Sequence, residues 1–373
     1  MVVRKNVSAL SADERKAYVA AVKKLKAAPS RMRPATSSRY DDYVYVHMQA
    51  MLELEIDDPD KPVANGNFRV TSAMRMPMWA HRCPAFLPWH RELLYQFERD
   101  LQRAAGDPKL AIPYWDWSTD QRHDGPPWLD DFMGGDGADG PVKTGPFAGA
   151  ANWKLSLSED GVDHLVRGFG RVQQFTRLPT PGEVNAILRL VPYDAAPWND
   201  SARLASFRNQ LEGWHVPHGS DIPDGLHNLV HVWVGGNAGT MLPSTSPNDP
   251  VFFLHHCNVD RLWAIWQQMN PSAPHYLPAK ALRGEPGQGL HEPMTFHDPS
   301  LSTAPWRDPP ATPAKVIDHH GLGYRYDHEA APRLHAERAE AVAAAPIHRR
   351  VHIDGRDRFR LRMEQLHAPD RVV

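Results

Sequence analysis

His227 and His231 stand four residues apart in "LHNLVH", the spacing that puts two imidazoles on one face of a helix, where both can reach a single ion. Taken alone, the pair fits two packed or surface histidines as well as a metal site. A zinc protease uses the same spacing but needs a glutamate base directly after the first histidine. Here that position is Asn228, so hydrolysis loses most of its weight. Further along, "NDPVFFLHHCNVDRLW" offers a third imidazole, from His255 or His256. Three imidazoles from two helices make a coordination shell with an open position. A second trio lies upstream: His47 in "YVYVHMQAM", and His81 and His90 in "WAHRCPAFLPWHR". Two neutral trios without carboxylate or thiolate suit a borderline metal that changes oxidation state, copper ahead of iron or zinc. Spacing favours His256 over His255 only weakly, since a helix here puts His256, Asp260 and Trp263 on one face.

These residues need helices to hold them. Ser11, with Glu14 three residues on, reads as a capping box ahead of an amphipathic helix through Tyr18, Val22 and Leu25. A second helix is predicted over "SRYDDYVYVHMQAML", and a third from Pro88 onward, where Leu93, Leu94, Phe97 and Leu101 share a face. Residues 181–190 and 201–212 also read as helices, as do "DGLHNLVHVWVGG" and "NDPVFFLHHCNVDRLWAIWQQM". Residues 55–80, 118–180 and 271–315 lack periodicity, are rich in proline with glycine, asparagine or aspartate, and read as irregular chain. Phe252 and Phe253 are expected at the dry wall of the site, and ordinary core packing suits them equally. The Ala-rich stretch 329–345 is expected to be helical, and Asp354-Gly355 between two alternating runs is a hairpin signal.

A chain of 373 residues with 42% apolar content can fill one large core or two ordinary ones. With 42 Lys plus Arg against 44 Asp plus Glu, no long-range field recruits nucleic acid or an anionic membrane, and no stretch approaches the length of a membrane span. The expected partner is a small neutral molecule. Cys83 and Cys257 are the two cysteines, too few for a disulfide framework, which fits a reducing compartment. The opening "MVVRKNVSALSADERK" lacks the apolar run of a signal peptide. The chain is therefore expected to be cytoplasmic as synthesised, with export alongside a partner protein left open.

Several long segments, in order from about Arg4 to Asp327, resemble the type 3 copper proteins and in particular the small bacterial tyrosinases: "HRCPAFLPWHRELLYQFE", "PYWDW", "FRNQLEGW", "LHNLVHVWVGG", "NDPVFFLHHCNVDRLW" and "YRY". The resemblance implies a mainly α fold, a four-helix bundle core holding a dinuclear copper site, with long irregular loops. It places His47, His81 and His90 on one copper ion and His227, His231 and His256 on the other. His256 is selected because the family's ligand stands four residues before the Asp of "VDR", here Asp260. His255 is left beside the site. The implied activity uses O2 as co-substrate to hydroxylate monophenols and to oxidise o-diphenols to o-quinones. A catechol or o-aminophenol oxidase without hydroxylation is the near alternative, and a hemocyanin-like oxygen carrier the distant one. Glu212 and Asn228 occupy the positions at which the family holds a water that takes the phenol proton. A copper-delivery partner protein is compatible with the resemblance.

Further expectations follow from it. The loop 235–247 is the candidate entrance rim. Many relatives carry a cysteine two residues before the second ligand of the first site, cross-linked to it; Trp79 stands there, so no thioether is expected. Met48, Met51, Met74, Met76 and Met78 suit either a copper-loading path or core filling. Tyr324 and Tyr326 resemble the motif that closes the core domain, against Arg4. The expected division is thus a copper-binding domain over 1–327 and a C-terminal extension over 328–373, short for a domain of its own.

Overall fold

The Glu14 N–H donates to the Ser11 hydroxyl at 3.2 Å and the Glu14 carboxylate accepts the Ser11 N–H at 2.9 Å. This capping box starts α1 (Ala12–Ala27). The computed structural model describes residues 1–32, 35–51, 79–135, 140–158, 161–171, 177–199, 202, 204–213, 225–282, 287–296 and 309–330. Met1–Asp327 is one compact unit and His328–Val373 a second. The expected tail helix and hairpin lie outside the described residues, as do Met74, Met76 and Met78.

After α1 come α2 (Arg39–Met51), α3 (Phe86–Ala105), the short α4 (Gly149–Asn152), α5 (Pro181–Leu188), α6 (Phe207–Glu212), α7 (Leu226–Gly235), α8 (Val251–Met269) and α9 (Pro313–Val316). One of them, α3, begins earlier than the sequence suggests, and α8 lies within the segment read as helical. α3 starts at Phe86 because Pro88 falls within its first turn, where its missing N–H costs nothing. α8 starts at Val251, directly after Pro250. α6 instead begins later than residue 201, because Ser206 is extended and its N–H is taken by the Asn209 side chain at 2.8 Å. α3 ends at Gly106, whose φ of 72° is a left-handed stop that glycine adopts without strain.

α1 packs on α2 and α3, α3 on α8, α7 on α8, and α6 on α7. α2, α3, α7 and α8 are the four-helix bundle core, and α2 is buried along nearly its whole length. Strand is scarce. β1 (Val2–Arg4) pairs in parallel with β4 (Tyr324–Tyr326), setting Val2 beside Tyr324 and Arg4 beside Tyr326; β2 (Gly140–Pro141) pairs antiparallel with β3 (Val166–Arg167). No helix among the described residues is long and apolar enough to cross a membrane.

The β1–β4 pair brings a polar knot under the bundle. Asp260 accepts from the Tyr324 and Tyr326 hydroxyls at 2.6 and 2.5 Å, from Arg91 at 2.5 Å and from Arg4 at 3.2 Å. Arg4 also donates to Glu98 at 3.0 Å and lies 3.5 Å over the Tyr324 ring. All these side chains are buried, and two guanidiniums balance two carboxylates. The knot ties both ends of the unit to α3 and α8, the helices that carry His90 and His256.

Candidate metal centre

α7 aims His227 and His231 at α8, as the four-residue spacing requires. The His256 Nε2 lies 3.3 Å from the His227 Nε2 and 3.4 Å from the His231 Nε2. Two nitrogens each about 2.0–2.1 Å from one tetrahedral ion are separated by roughly 3.3–3.4 Å. The His227 Nδ1–H points at the Asn228 Oδ1, 2.9 Å away, and at the Glu212 carbonyl at 3.2 Å; the His231 Nδ1–H donates to the Met241 carbonyl at 2.7 Å. Each ring therefore turns a lone pair, not a proton, toward His256.

The second group is assembled differently. His47 comes from α2, His90 from the first turns of α3, and His81 from the irregular segment before α3, with ligand-capable nitrogens within 4.8 Å of one another. The His47 Nδ1–H donates to the Ser244 carbonyl at 2.7 Å and the His90 Nδ1–H to the Phe86 carbonyl at 2.8 Å. The Nε2 atoms of His47 and His90 are buried without a hydrogen-bond partner. The two groups face each other: the rings of His90 and His256 stack at 4.2 Å, and those of His81 and His227 lie 5.9 Å apart. Burial, reinforced in most of them by the neighbouring rings, pushes every one of these imidazoles below its ordinary pKa, His231 to about 4 and His47 to about 3. At neutral pH all six are in the neutral form that binds metal.

Phe252 closes one side, 4.1 Å from the His256 ring and 4.8 Å from that of His47. Phe253, its expected companion, faces the other way and stacks at 3.5 Å on Phe97. Adjacent residues on a helix point about 100° apart, so one of the pair had to leave the site. Phe86, not singled out by its sequence, takes the vacated role against His227 at 4.9 Å and His90 at 4.9 Å. A pocket opens onto both groups, lined by His47, His81, His227, Asn228 and His231, with Met51, Val232, Leu242, Pro243 and Ser246.

The "Common central domain of tyrosinase" family model matches residues 37–269. The chain belongs to the tyrosinase family. It is 41% identical over 322 residues to a tyrosinase of Streptomyces glaucescens and 39% identical over 322 residues to one of Streptomyces antibioticus, each alignment covering 86% of this chain and 97% of the relative. The structure of a polyphenol oxidase from Thermothelomyces thermophila, solved as a point mutant, matches with a TM-score of 0.57 and 26% identity, over 87% of this chain and 88% of that one. The family is one of dicopper, O2-using enzymes, and the chemistry of the donors fits a copper pair. In the second trio, fixed Nδ1 protons leave two Nε2 lone pairs crowded on one Nε2 of His256. A single proton cannot satisfy both contacts, whereas one cation satisfies all three.

Other residues hold the family site in place in ways that the local sequence pattern does not give. The loop 235–247 fixes the tautomers of both groups through the Met241 and Ser244 carbonyls. Glu212, at the end of α6, is fully buried; its Oε1 accepts the Arg82 backbone N–H at 2.5 Å and its Oε2 accepts from Arg208 at 2.8 Å. Asp194 grips Arg208 with two bonds of 2.9 Å. Arg82 has a φ of 54°, a left-handed conformation rare outside glycine, and it directly follows His81. The Glu212 clasp is thus what secures the irregular segment carrying that histidine. Burial raises the Glu212 carboxyl to about 7, against the opposing pull of Arg208 and the Arg82 N–H. Asn228 presents its Nδ2 without a hydrogen-bond partner, buried beside the pocket. Trp79 stands two residues before His81, and Cys83 and Cys257 are free, buried thiols.

Proposed function

We propose that His47, His81 and His90 hold one copper ion and His227, His231 and His256 the other, and that Glu212 and Asn228 handle the phenol proton. The enzyme is a copper-dependent monophenol monooxygenase and o-diphenol oxidase. The observation that carries the assignment is the pair of Nε2 separations on His256, which match shared coordination of one ion. When bound, the copper pair supplies the electron transfer that turns a phenol and O2 into an o-quinone and water.

The chain's own part is binding, drying and proton transfer. Phe86 and Phe252 exclude water around the imidazoles, and Val232, Leu242 and Pro243 give the ring of a phenol an apolar wall. A phenol ionises near pH 10, so at neutral pH it must give up its proton to a base within reach before its oxygen binds as an anion. A carboxyl poised at about 7 is matched to that task. Each Glu212 oxygen takes one hydrogen bond from the protein, which leaves each a further lone pair for a water. The unpartnered Asn228 Nδ2 can orient such a water or the substrate oxygen. Copper delivery by a partner protein belongs to the same proposal, because the ligands are buried; loading of purified apo-protein by copper salts alone tests that part.

Copper-loaded Glu212→Gln decides the proton role. Monophenol turnover should fall about 100-fold or more, catechol turnover much less, with two coppers retained. Equal losses on both substrates would reduce Glu212 to its clasp on Arg82, and wild-type protein inert to monophenols but active on catechols or o-aminophenols would remove hydroxylation from the activity.

A further inference from the structure

His255 has no part in the assignment above, yet it sits inside the site. It is fully buried, and its ring nitrogens make no hydrogen bond of good geometry, while the His227 backbone is near enough to favour its charged form. Its ring lies parallel to that of His227 at 5.1 Å and edge-on to those of His231 and His256 at 4.9 and 5.0 Å. Its ligand-capable nitrogen is within 4.8 Å of those of His227, His231 and His256. A buried imidazole without partners carries a desolvation cost that a leucine of similar bulk would not, so packing does not explain its presence.

We propose that His255 is a stand-by ligand of the second copper, exchanging with His256 as the third imidazole while the metal enters and leaves. The inference rests on the assignment of His227, His231 and His256 and goes beyond it. The four nitrogens lie within 4.8 Å of one another, while two donors to one tetrahedral ion stand roughly 3.3–3.4 Å apart. A small shift of the ion or ring serves them in turn. A donor already held in the site can take a vacated position at once, without having to enter through the pocket. Imidazole is a donor that copper accepts in either oxidation state.

The test titrates apo-protein with Cu(I) against a chromophoric chelator, for wild type, His256→Ala, His255→Ala and the double variant. The first trio stays intact in all four, so its copper reports that the core is folded. Wild type should bind two coppers. His256→Ala should still bind two, the second about 10- to 100-fold more weakly, and the double variant one. Identical binding of one copper by His256→Ala and the double variant overturns the proposal. Retention of both coppers at wild-type affinity by His256→Ala overturns the ligand assignment instead. Should the double variant not fold, His255→Ala gives a second reading: release of the second copper to excess chelator slows several-fold if His255 assists exchange, and an unchanged rate counts against it.

Discussion

Two buried polar regions hang from the same two helices. α3 carries His90 into the imidazole cluster and Arg91, the next residue, into the charged knot; α8 carries His256 and, one turn later, Asp260. In the knot every charge meets its opposite and the tyrosine hydroxyls fill acceptor sites of Asp260, with the Arg91 Nη2 left as a buried donor without a partner. In the cluster the fixed tautomers and bare Nε2 atoms leave needs that no protein group meets. Both are largely buried, and a pocket opens onto the cluster. The difference shows that burial of polar groups has two uses here, one closed on itself to hold helices in register, and one kept open for an ion.

Acid should separate them most strongly. Burial and mutual repulsion depress the folded pKa of His255 as well as those of the six assigned ligands. In the unfolded chain they take up protons near pH 6.5. Below that value the unfolded state binds more protons than the folded one, so stability falls as pH falls, down to about 4 for His231 and 3 for His47. Glu212, raised to about 7, has the opposite sign, because its folded form holds the proton between about pH 4.5 and 7. Seven sites against one make the net effect a loss of stability as pH falls below about 6.5, in a fold whose typical total is only about 5–15 kcal/mol. In the knot, burial alone would raise Asp260, but Arg91, Arg4 and the two tyrosines outweigh it and hold its pKa below the aspartate range, so its contribution is lost only below about pH 4. Apo-protein should therefore unfold between about pH 5 and 6, and copper-loaded protein at least about one unit lower. Far-ultraviolet circular dichroism during acid titration checks this, and coincident curves would refute the reserved-cluster reading.

The knot should fail by substitution rather than by mild acid. Asp260→Asn keeps the shape but leaves Arg4 and Arg91 with one carboxylate between them. Unpairing a buried charge costs about 3–5 kcal/mol, so the urea midpoint at neutral pH should drop steeply. Folded molecules should still bind two coppers, since no imidazole is touched. A loss below about 1 kcal/mol would mean the knot is no tighter than a surface pair.

The two regions also differ in how far their sequence could be read. The α7 ligands follow from four-residue spacing, because one helix supplies both. Between His255 and His256 spacing was nearly silent, and Nε2 positions across two helices distinguish them. His81 is harder still: its placement depends on Arg82 in a left-handed conformation, held by Glu212 from 130 residues away, and no local pattern encodes that. The carbonyls of Met241 and Ser244 are invisible for a different reason, since any residue carries a carbonyl. Helix existence was legible from periodicity, whereas the start at Phe86 turned on Pro88, a proline that a first turn tolerates. The side of the helix taken by Phe252 rather than Phe253 was set by packing against Phe97.

The smallest expected effect has the opposite direction from the others. His255→Leu removes an imidazole whose nitrogens are buried without partners and replaces it with an apolar side chain of similar size. Deleting an unsatisfied polar group in favour of an apolar one is near neutral or stabilising, so apo-protein at neutral pH should gain between about 0 and 2 kcal/mol. It should also lose one of the seven acid-sensitive sites, shifting the acid midpoint slightly downward. The same type of change in the knot, Asp260→Leu, is strongly destabilising because partners remain behind. Urea unfolding of the two apo variants side by side measures the contrast. If His255→Leu loses more than about 1 kcal/mol, its ring is packed as a structural element of α8, and the cluster and the knot are not different in kind.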